Sequence, residues 1–171
     1  MPLRLRTLGR SLSLRFARQG VLQDLEEALE VMRRAVDLTP DDHPSLPVAL
    51  DIFGTLLYAR FTRQGRPADL EHAIKIMHKV IELTPGSHPN MSIRLGSLER
   101  SLCLRFERLG ELPDLEAAIA AQRRALNLTP DGHPDMLLRV NHLGSSLSGR
   151  FTRLGELPDL EDAIALQRRA V

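Results

Sequence analysis

The chain has a single cysteine, Cys103, among its 171 residues. An internal disulfide is therefore excluded, and a reducing, cytoplasmic setting is the expectation. Long apolar runs are also missing. No stretch approaches the ~18 apolar residues of a membrane helix. The N-terminus, MPLRLRTLGRSLSLRF, carries basic residues but no unbroken apolar segment, so it is a poor signal peptide. A surplus of one charge is missing too, with 23 basic residues against 22 acidic ones. General nucleic-acid binders usually show a basic surplus, so that class is disfavoured. The motifs of common enzymes are absent: no GxxxxGK(S/T) phosphate loop, no GxGxxG after a strand, no HExxH and no Cys-x-x-Cys. These absences predict a soluble protein with no enzymatic activity, no cofactor, no nucleic-acid partner and no membrane partner. The length suffices for one domain with a real core.

What is present is repetition. Residues 106–126 read FERLGELPDLEAAIAAQRRAL and residues 151–171 read FTRLGELPDLEDAIALQRRAV, with 17 of 21 positions identical at an offset of 45. The same period runs through the whole chain. Phe16, Phe61, Phe106 and Phe151 fall in register, as do Gly20, Gly65, Gly110 and Gly155. Asp24-Leu25-Glu26 recurs at Asp69, Asp114 and Asp159. Thr39-Pro40 recurs at Thr84-Pro85 and Thr129-Pro130, and His43-Pro44 at His88-Pro89 and His133-Pro134. About 3.8 copies are present, with boundaries near 1–43, 44–88, 89–133 and 134–171. Periods of ~20–50 residues mark stacked supersecondary units.

Each copy reads as two helices. In the first complete copy, helix A is expected from about Pro44 to Arg63. Leu50, Phe53, Leu57 and Phe61 recur every three or four residues and make one apolar stripe. The stripe returns as Leu95, Leu98, Leu102, Phe106 and as Val140, Leu143, Leu147, Phe151. Proline suits a first helical turn, whose N–H groups lack partners. The recurring glycine fits a left-handed cap at the helix end. Helix B is expected from about Ala68 to Leu83, burying Leu70, Ala73, Ile74, Met77, Val80 and Ile81. Asp69 and Glu71 at its start and His78-Lys79 near its end suit the helix dipole. Pro85 stops it, and Pro130-Asp131-Gly132 signals a turn between copies. One such hairpin cannot bury its stripe alone, so copies must stack. The expected fold is all-α, a right-handed α-α superhelical solenoid.

These residues resemble the tetratricopeptide repeat (TPR). Helix B carries Ala28, Ala35 and Pro40, repeated as Ala73, Val80, Pro85 and as Ala118, Ala125, Pro130. Helix A carries Leu8-Gly9 with Leu12 and Leu143-Gly144 with Leu147, and Phe53-Gly54 with Leu57 is close to it. The TPR signature has a large residue and Gly in helix A, then Ala, Ala and Pro in helix B. Two departures stand out. The period is 45 rather than 34 residues, and position 99 holds Glu where the signature has Gly, so packing there must differ locally. The wording RFxRLGxLxDLExAI followed by LTPDGHP is similar to the TPR arrays of mushroom-type fungi. Those arrays often precede a caspase-like CHAT domain or an NTPase domain, and the resemblance implies that this chain is the regulatory array of such a protein.

The polar columns admit narrower readings. His43, His88 and His133 recur once per copy, too far apart across helices ~8–10 Å distant to share a metal whose ligands sit ~2 Å from it. They are expected to cap or pack ahead of the following helix. His72 and His78, six apart, share no helical face. Cys103 is expected to be a small packing residue, because reactive thiols need an electropositive site. Arg15, Arg60, Arg105, Arg150 and Arg18, Arg63, Arg108, Arg153 could form a basic ladder for phosphates or an acidic peptide. The favoured reading is an arginine–carboxylate network within and between copies, with the Asp24 and Glu26 columns as partners.

Binding is the remaining function, and the resemblance says where. TPR helices A line a concave groove. The corresponding positions are Arg6, Arg10 and Ser13 in the first copy and Asp51, Thr55 and Tyr58 in the second. The third gives Arg100 and Cys103, and the fourth Asn141, Ser145 and Ser148. These columns vary between copies while the core columns do not. The Lys/Asn set that clamps a peptide carboxylate in some TPR domains is missing, since the two columns hold Arg6, Asp51, Gly96, Asn141 and Arg10, Thr55, Arg100, Ser145. The expected partner is a protein or peptide of another kind. The first copy starts inside helix A and the last stops inside helix B, still reading Leu160, Ala163, Ile164, Gln167, Ala170. Solenoid ends normally carry polar caps. A piece of a longer array, or self-association through the open ends, is therefore expected.

Overall fold

The structure is a computed structural model that describes residues 1–169. Ala170, expected on the last apolar face, lies outside the described residues. Among the described residues eight helices follow one another: α1 (Pro2–Gln19), α2 (Leu22–Asp37), α3 (Leu46–Gln64), α4 (Pro67–Glu82), α5 (Met91–Leu109), α6 (Leu112–Asn127), α7 (Met136–Leu154) and α8 (Leu157–Arg169). No strand occurs among the described residues. The odd-numbered helices are the A helices and the even-numbered ones the B helices. Two compact units result, Met1–Pro85 with α1–α4 and Gly86–Val171 with α5–α8.

Each A helix ends where glycine permits a backbone turn that side-chain-bearing residues resist. Gly20, Gly65, Gly110 and Gly155 have φ of 71°, 69°, 73° and 72°. Each donates its N–H at 2.7 Å to the carbonyl of the phenylalanine four residues earlier, closing an αL cap. The B helices end differently. The buried hydroxyls of Thr39, Thr84 and Thr129 donate back to the carbonyls of Ala35, Val80 and Ala125. The following proline cannot continue the helix. Thus the Thr-Pro column both satisfies the helix end and stops it.

The start of helix A departs from expectation. It begins at Leu46, not Pro44, and Pro44 lies in the preceding turn. His43 organises that turn. Its carbonyl accepts the N–H of Leu46 at 2.9 Å, and its Nδ1 accepts the N–H of Ser45 at 3.1 Å. His88 and His133 repeat the second bond with Asn90 and Asp135. The histidine column is thus a capping column, and its prolines stand outside the helices. The proline inside the first turn of α3 is Pro47.

Within the first unit, Leu12, Phe16, Leu50, Phe53 and Leu57 interlock with Leu25, Ala28, Leu29, Met32 and Ala35. Phe61 is buried as well. In the second unit Leu143 and Leu147 of α7 pack with Leu115 and Ile119 of α6 and Ala163 of α8. Phe106 and Phe151, expected on the buried stripe, are only half-buried. A fully buried Leu or Phe contributes about 1.5–3 kcal/mol, so the stripe supplies the main attraction between helices.

Candidate interaction surface

Helix-end charges are consumed by the fold. Arg15 donates Nε and Nη2 to the two carboxylate oxygens of Asp24, both at 2.6 Å. The same two-pronged bond joins Arg60 to Asp69, Arg105 to Asp114 and Arg150 to Asp159. It ties the last turn of each A helix to the first turn of the next B helix. Planar guanidinium and carboxylate match in this geometry, which makes the pair strong and directional. Hydrogen bonds from Arg15 and Arg150 hold the Asp24 and Asp159 carboxyls below the usual carboxylate range. Arg60 also reaches Glu26 of the preceding copy at 2.9 Å, and Gln64 donates to the same carboxylate at 3.0 Å. Burial would raise Glu26, but these bonds outweigh it and its pKa is lowered. The expected arginine–carboxylate network therefore exists within and between copies.

Two members of the second arginine column, Arg63 and Arg153, do something else. Acidic partners were expected for it. Instead, the Arg63 guanidinium lies 5.8 Å above the Phe16 ring, and that of Arg153 lies 5.0 Å above Phe106. Arg153 also donates to the Gly110 carbonyl at 3.1 Å. A cation over a ring face is attracted by the ring quadrupole. The half-exposed Phe106 ring is thereby covered by an arginine from the next copy.

All the expected groove residues lie on A helices. Arg10 and Thr55 are exposed in the first unit, and Arg6, Ser13, Asp51 and Tyr58 are half-buried. In the second unit Arg100, Asn141 and Ser145 are exposed, and Cys103 and Ser148 are half-buried. Thr55 turns its hydroxyl back to the Asp51 carbonyl at 2.8 Å. The A-helix columns on either side, such as Leu50, Phe53 and Leu57, are buried.

One centre was not foreseen from the sequence, although the departure at position 99 marks it. Three copies hold glycine there. A Cβ added at Gly9 or Gly54 would stand 2.5 Å from the side chain of Met32 or Met77 on the facing B helix. In the third copy Glu99 replaces the glycine and Gln122 the methionine. Both are buried, at 7% and 5% exposed. Gln122 Nε2 donates to Glu99 Oε1 at 3.0 Å and to Ser146 Oγ at 2.9 Å. His142 Nδ1 lies 3.4 Å from Glu99 Oε1, and Cys103 Sγ lies 3.7 Å from it. Burial, with the Glu99 charge beside it, pushes the Cys103 thiol up to about 12. Two pockets of ≈ 200 and ≈ 280 Å³ flank this centre, and Glu99, Gln122 and His142 line both. Arg100 faces the first, and Cys103 and Ser145 the second.

Among the described residues, no group of three His, Cys, Asp or Glu is placed to hold a metal ion. None of the described helices is long and apolar enough to cross a membrane.

A tetratricopeptide repeat model matches residues 4–45, which span α1, α2 and the turn after them. No curated protein matches the sequence. Among solved structures, the chain is similar to a Podosopora anserina protein described as a kinesin light chain with nearly identical TPR-like repeats. The TM-score is 0.68 at 16% identity, covering 100% of this chain and 78% of that one. A point-substituted variant of that protein gives the same TM-score and identity, covering 99% and 77%. The fold of this chain is accordingly that of TPR-like helical repeats, with its first copy matching the tetratricopeptide repeat itself.

Proposed function

We propose that the chain is a non-enzymatic interaction scaffold, one TPR-like array that binds a protein or peptide along the face formed by its A helices. The observation that carries this reading is the contrast between columns. Arg10, Thr55, Arg100 and Ser145 occupy one register position, all exposed, with three residue types in four copies. The phenylalanine, Arg–Asp and glycine-cap columns around them are the same in every copy. Packing holds the second set constant and leaves the first free to fit a partner. Within each unit, exposed side chains of different chemistry on neighbouring A helices suit a peptide read residue by residue. The narrower expectation, that this array regulates a CHAT protease or an NTPase in a longer cytoplasmic chain, rests on the resemblance of its repeat wording alone. Reading the transcript past the codon for Val171 tests it.

The scaffold reading is tested by selecting binders from a random peptide library on the full chain. Selected peptides should lose about tenfold or more in affinity with Arg10→Ala, Tyr58→Ala or Asn141→Ala. They should keep it with Arg33→Ala or Lys75→Ala on exposed B-helix positions. Peptides indifferent to the A-helix substitutions would overturn it.

A further inference from the structure

We propose that two molecules of this chain associate head to tail, the open face of α1 in one covering the open face of α8 in the other. The contact already exists inside each unit, where an A helix packs on the B helix before it. In the first unit α3 covers α2, and Phe53 shares a core with Leu29. In the second unit α7 covers α6, and Leu143 shares a core with Ile119. The 45-residue period makes α8 the counterpart of α2 and α6, and α1 the counterpart of α3 and α7. Both counterparts stand open among the described residues. Ile164 is 40% exposed, whereas Leu29 and Ile119 at the same register are 5% and 3% exposed. Leu8 is 45% exposed, whereas Phe53 and Leu143 are 6% and 2% exposed. Met1 and Ser11 are exposed as well, where Leu46 and Leu56 are buried. Met1, Leu5 and Leu8 line an open hollow of ≈ 430 Å³ with Arg4. Contiguous apolar surface of this kind favours association.

The polar groups name the partner as a second molecule. Each bond that joins neighbouring copies within a unit has its two halves repeated on the two open faces. Glu26 accepts from Arg60 and Gln64 of the next copy at 2.9 and 3.0 Å. The counterparts are Glu161 on α8, and Arg15 and Gln19 on α1. Glutamine holds this register only at 19 and 64, with Leu109 and Leu154 in the other copies. Arg15 binds Asp24 through Nε and Nη2. Its Nη1 is the atom with which Arg60 reaches Glu26. Arg63 and Arg153 lie over Phe16 and Phe106, and the counterparts are Arg18 and the half-buried Phe151. Arg123 donates to Asp162 between B helices at 2.6 Å, and the counterparts are Arg168 and Glu27, again of opposite charge. Arg15, Arg18, Gln19, Glu27, Glu161 and Arg168 are all exposed. A symmetric contact of α8 with α8 would bring neither Arg15 nor Gln19 to Glu161. The contact is therefore heterologous, and each added molecule brings one further open face. None of these side chains belongs to the exposed A-helix register proposed to bind a peptide, so the two readings stand or fall separately.

The test is sedimentation of the full chain, without tags, from about 1 μM to about 1 mM. The weight-average mass should climb past that of a single molecule as concentration rises. Leu8→Glu and Ile164→Glu each set an unpaired charge in the contact, and each should weaken self-association about tenfold or more. Leu3→Glu is the control. Its column, with Val48, Ile93 and Leu138, is exposed in every copy, so association should stay unchanged. All three positions face solvent in the single molecule, and helix content by circular dichroism should match the parent. Mixing decides the geometry. The Leu8 variant keeps an intact α8 face and the Ile164 variant an intact α1 face. An equimolar mixture should form a two-molecule complex that grows no further, although neither variant associates alone. A parent chain that stays single at every concentration overturns the proposal. So does association lost in Ile164→Glu but untouched in Leu8→Glu, or the reverse, since either marks a symmetric contact. A mixture that fails to pair overturns it as well.

Discussion

At the residue scale, identical amino acids in one column meet different surroundings, and the sign of a substitution follows. Gly9 and Gly144 share a register position. A Cβ at Gly9 would sit 2.5 Å from Met32 Sδ and 2.6 Å from its Cγ, and Met32 is fully buried. Gly9→Ala must displace a core side chain, at about 1–3 kcal/mol. That outweighs the ~1 kcal/mol that alanine gains over glycine in a helix. At Gly144 the nearest atoms belong to Gln167 and stand at 3.6 and 3.7 Å, an ordinary contact. Gly144→Ala should therefore stabilise the chain by about 0.5–1 kcal/mol. Urea unfolding of the two variants checks this, and shifts of the same sign would refute the packing argument. Cys103 gives a second prediction. With its thiol pushed up to about 12, almost no thiolate exists at pH 8, whereas a free cysteine near 8.5 is partly ionised. Labelling by a disulfide reagent at pH 8 should be more than about tenfold slower than for free cysteine until urea unfolds the chain. Fast labelling of the folded chain would contradict the burial seen here.

The helices themselves were legible from the repeat, because the causes of their ends lie within a few residues of those ends. The αL glycines, the Thr-Pro stops and the apolar spacing are all local. Gly65→Ala should cost about 1 kcal/mol, since the backbone there holds φ at 69° and alanine resists that region. No atom lies within 4 Å of the added Cβ, so the loss is conformational rather than steric, and asparagine should cost less. Equal losses for alanine and asparagine in thermal melts would point to another cause. The misreadings have equally physical reasons. Pro44 looked like a helix start because proline suits one, but the ring nitrogen of His43 caps the chain first and delays the helix to Leu46. Arg63 and Arg153 were given acidic partners because charge is easy to see in a sequence. Their rings, Phe16 and Phe106, lie 47 residues away in the neighbouring copy. The Glu99 centre was half-legible. The missing glycine marked it, and aligning the B helices would have set Gln122 beside Met32 and Met77. The pairing with Ser146 and His142 depends on how α7 packs on α5 and α6, which no local pattern encodes.

On the scale of the whole molecule, repetition turns one local bond into a property of the chain. Every copy carries the arginine–aspartate fork that ties its A helix to its B helix. Asp24 and Asp159 are lowered by their arginine hydrogen bonds, and Glu26 is lowered against the pull of burial. A carboxyl whose folded pKa lies below its unfolded one binds fewer protons folded than unfolded. Its stabilisation is complete above the unfolded value near 4 and is lost as pH falls through the folded one. The urea midpoint should thus hold nearly level from pH 7 to about 5 and fall steeply below about 4. Because the aspartates are buried while their arginines are partly exposed, added salt should blunt this loss only slightly. Asp159→Asn keeps the shape of the fork but removes one titrating charge, so its stability should be lower at pH 7 and flatter toward pH 3. A midpoint that stays constant down to pH 2, or a variant whose acid loss is as steep as the parent's, would show that packing alone joins the helices. The opposite result would show that the aspartates add pH-dependent stability to the apolar packing that joins each pair of helices.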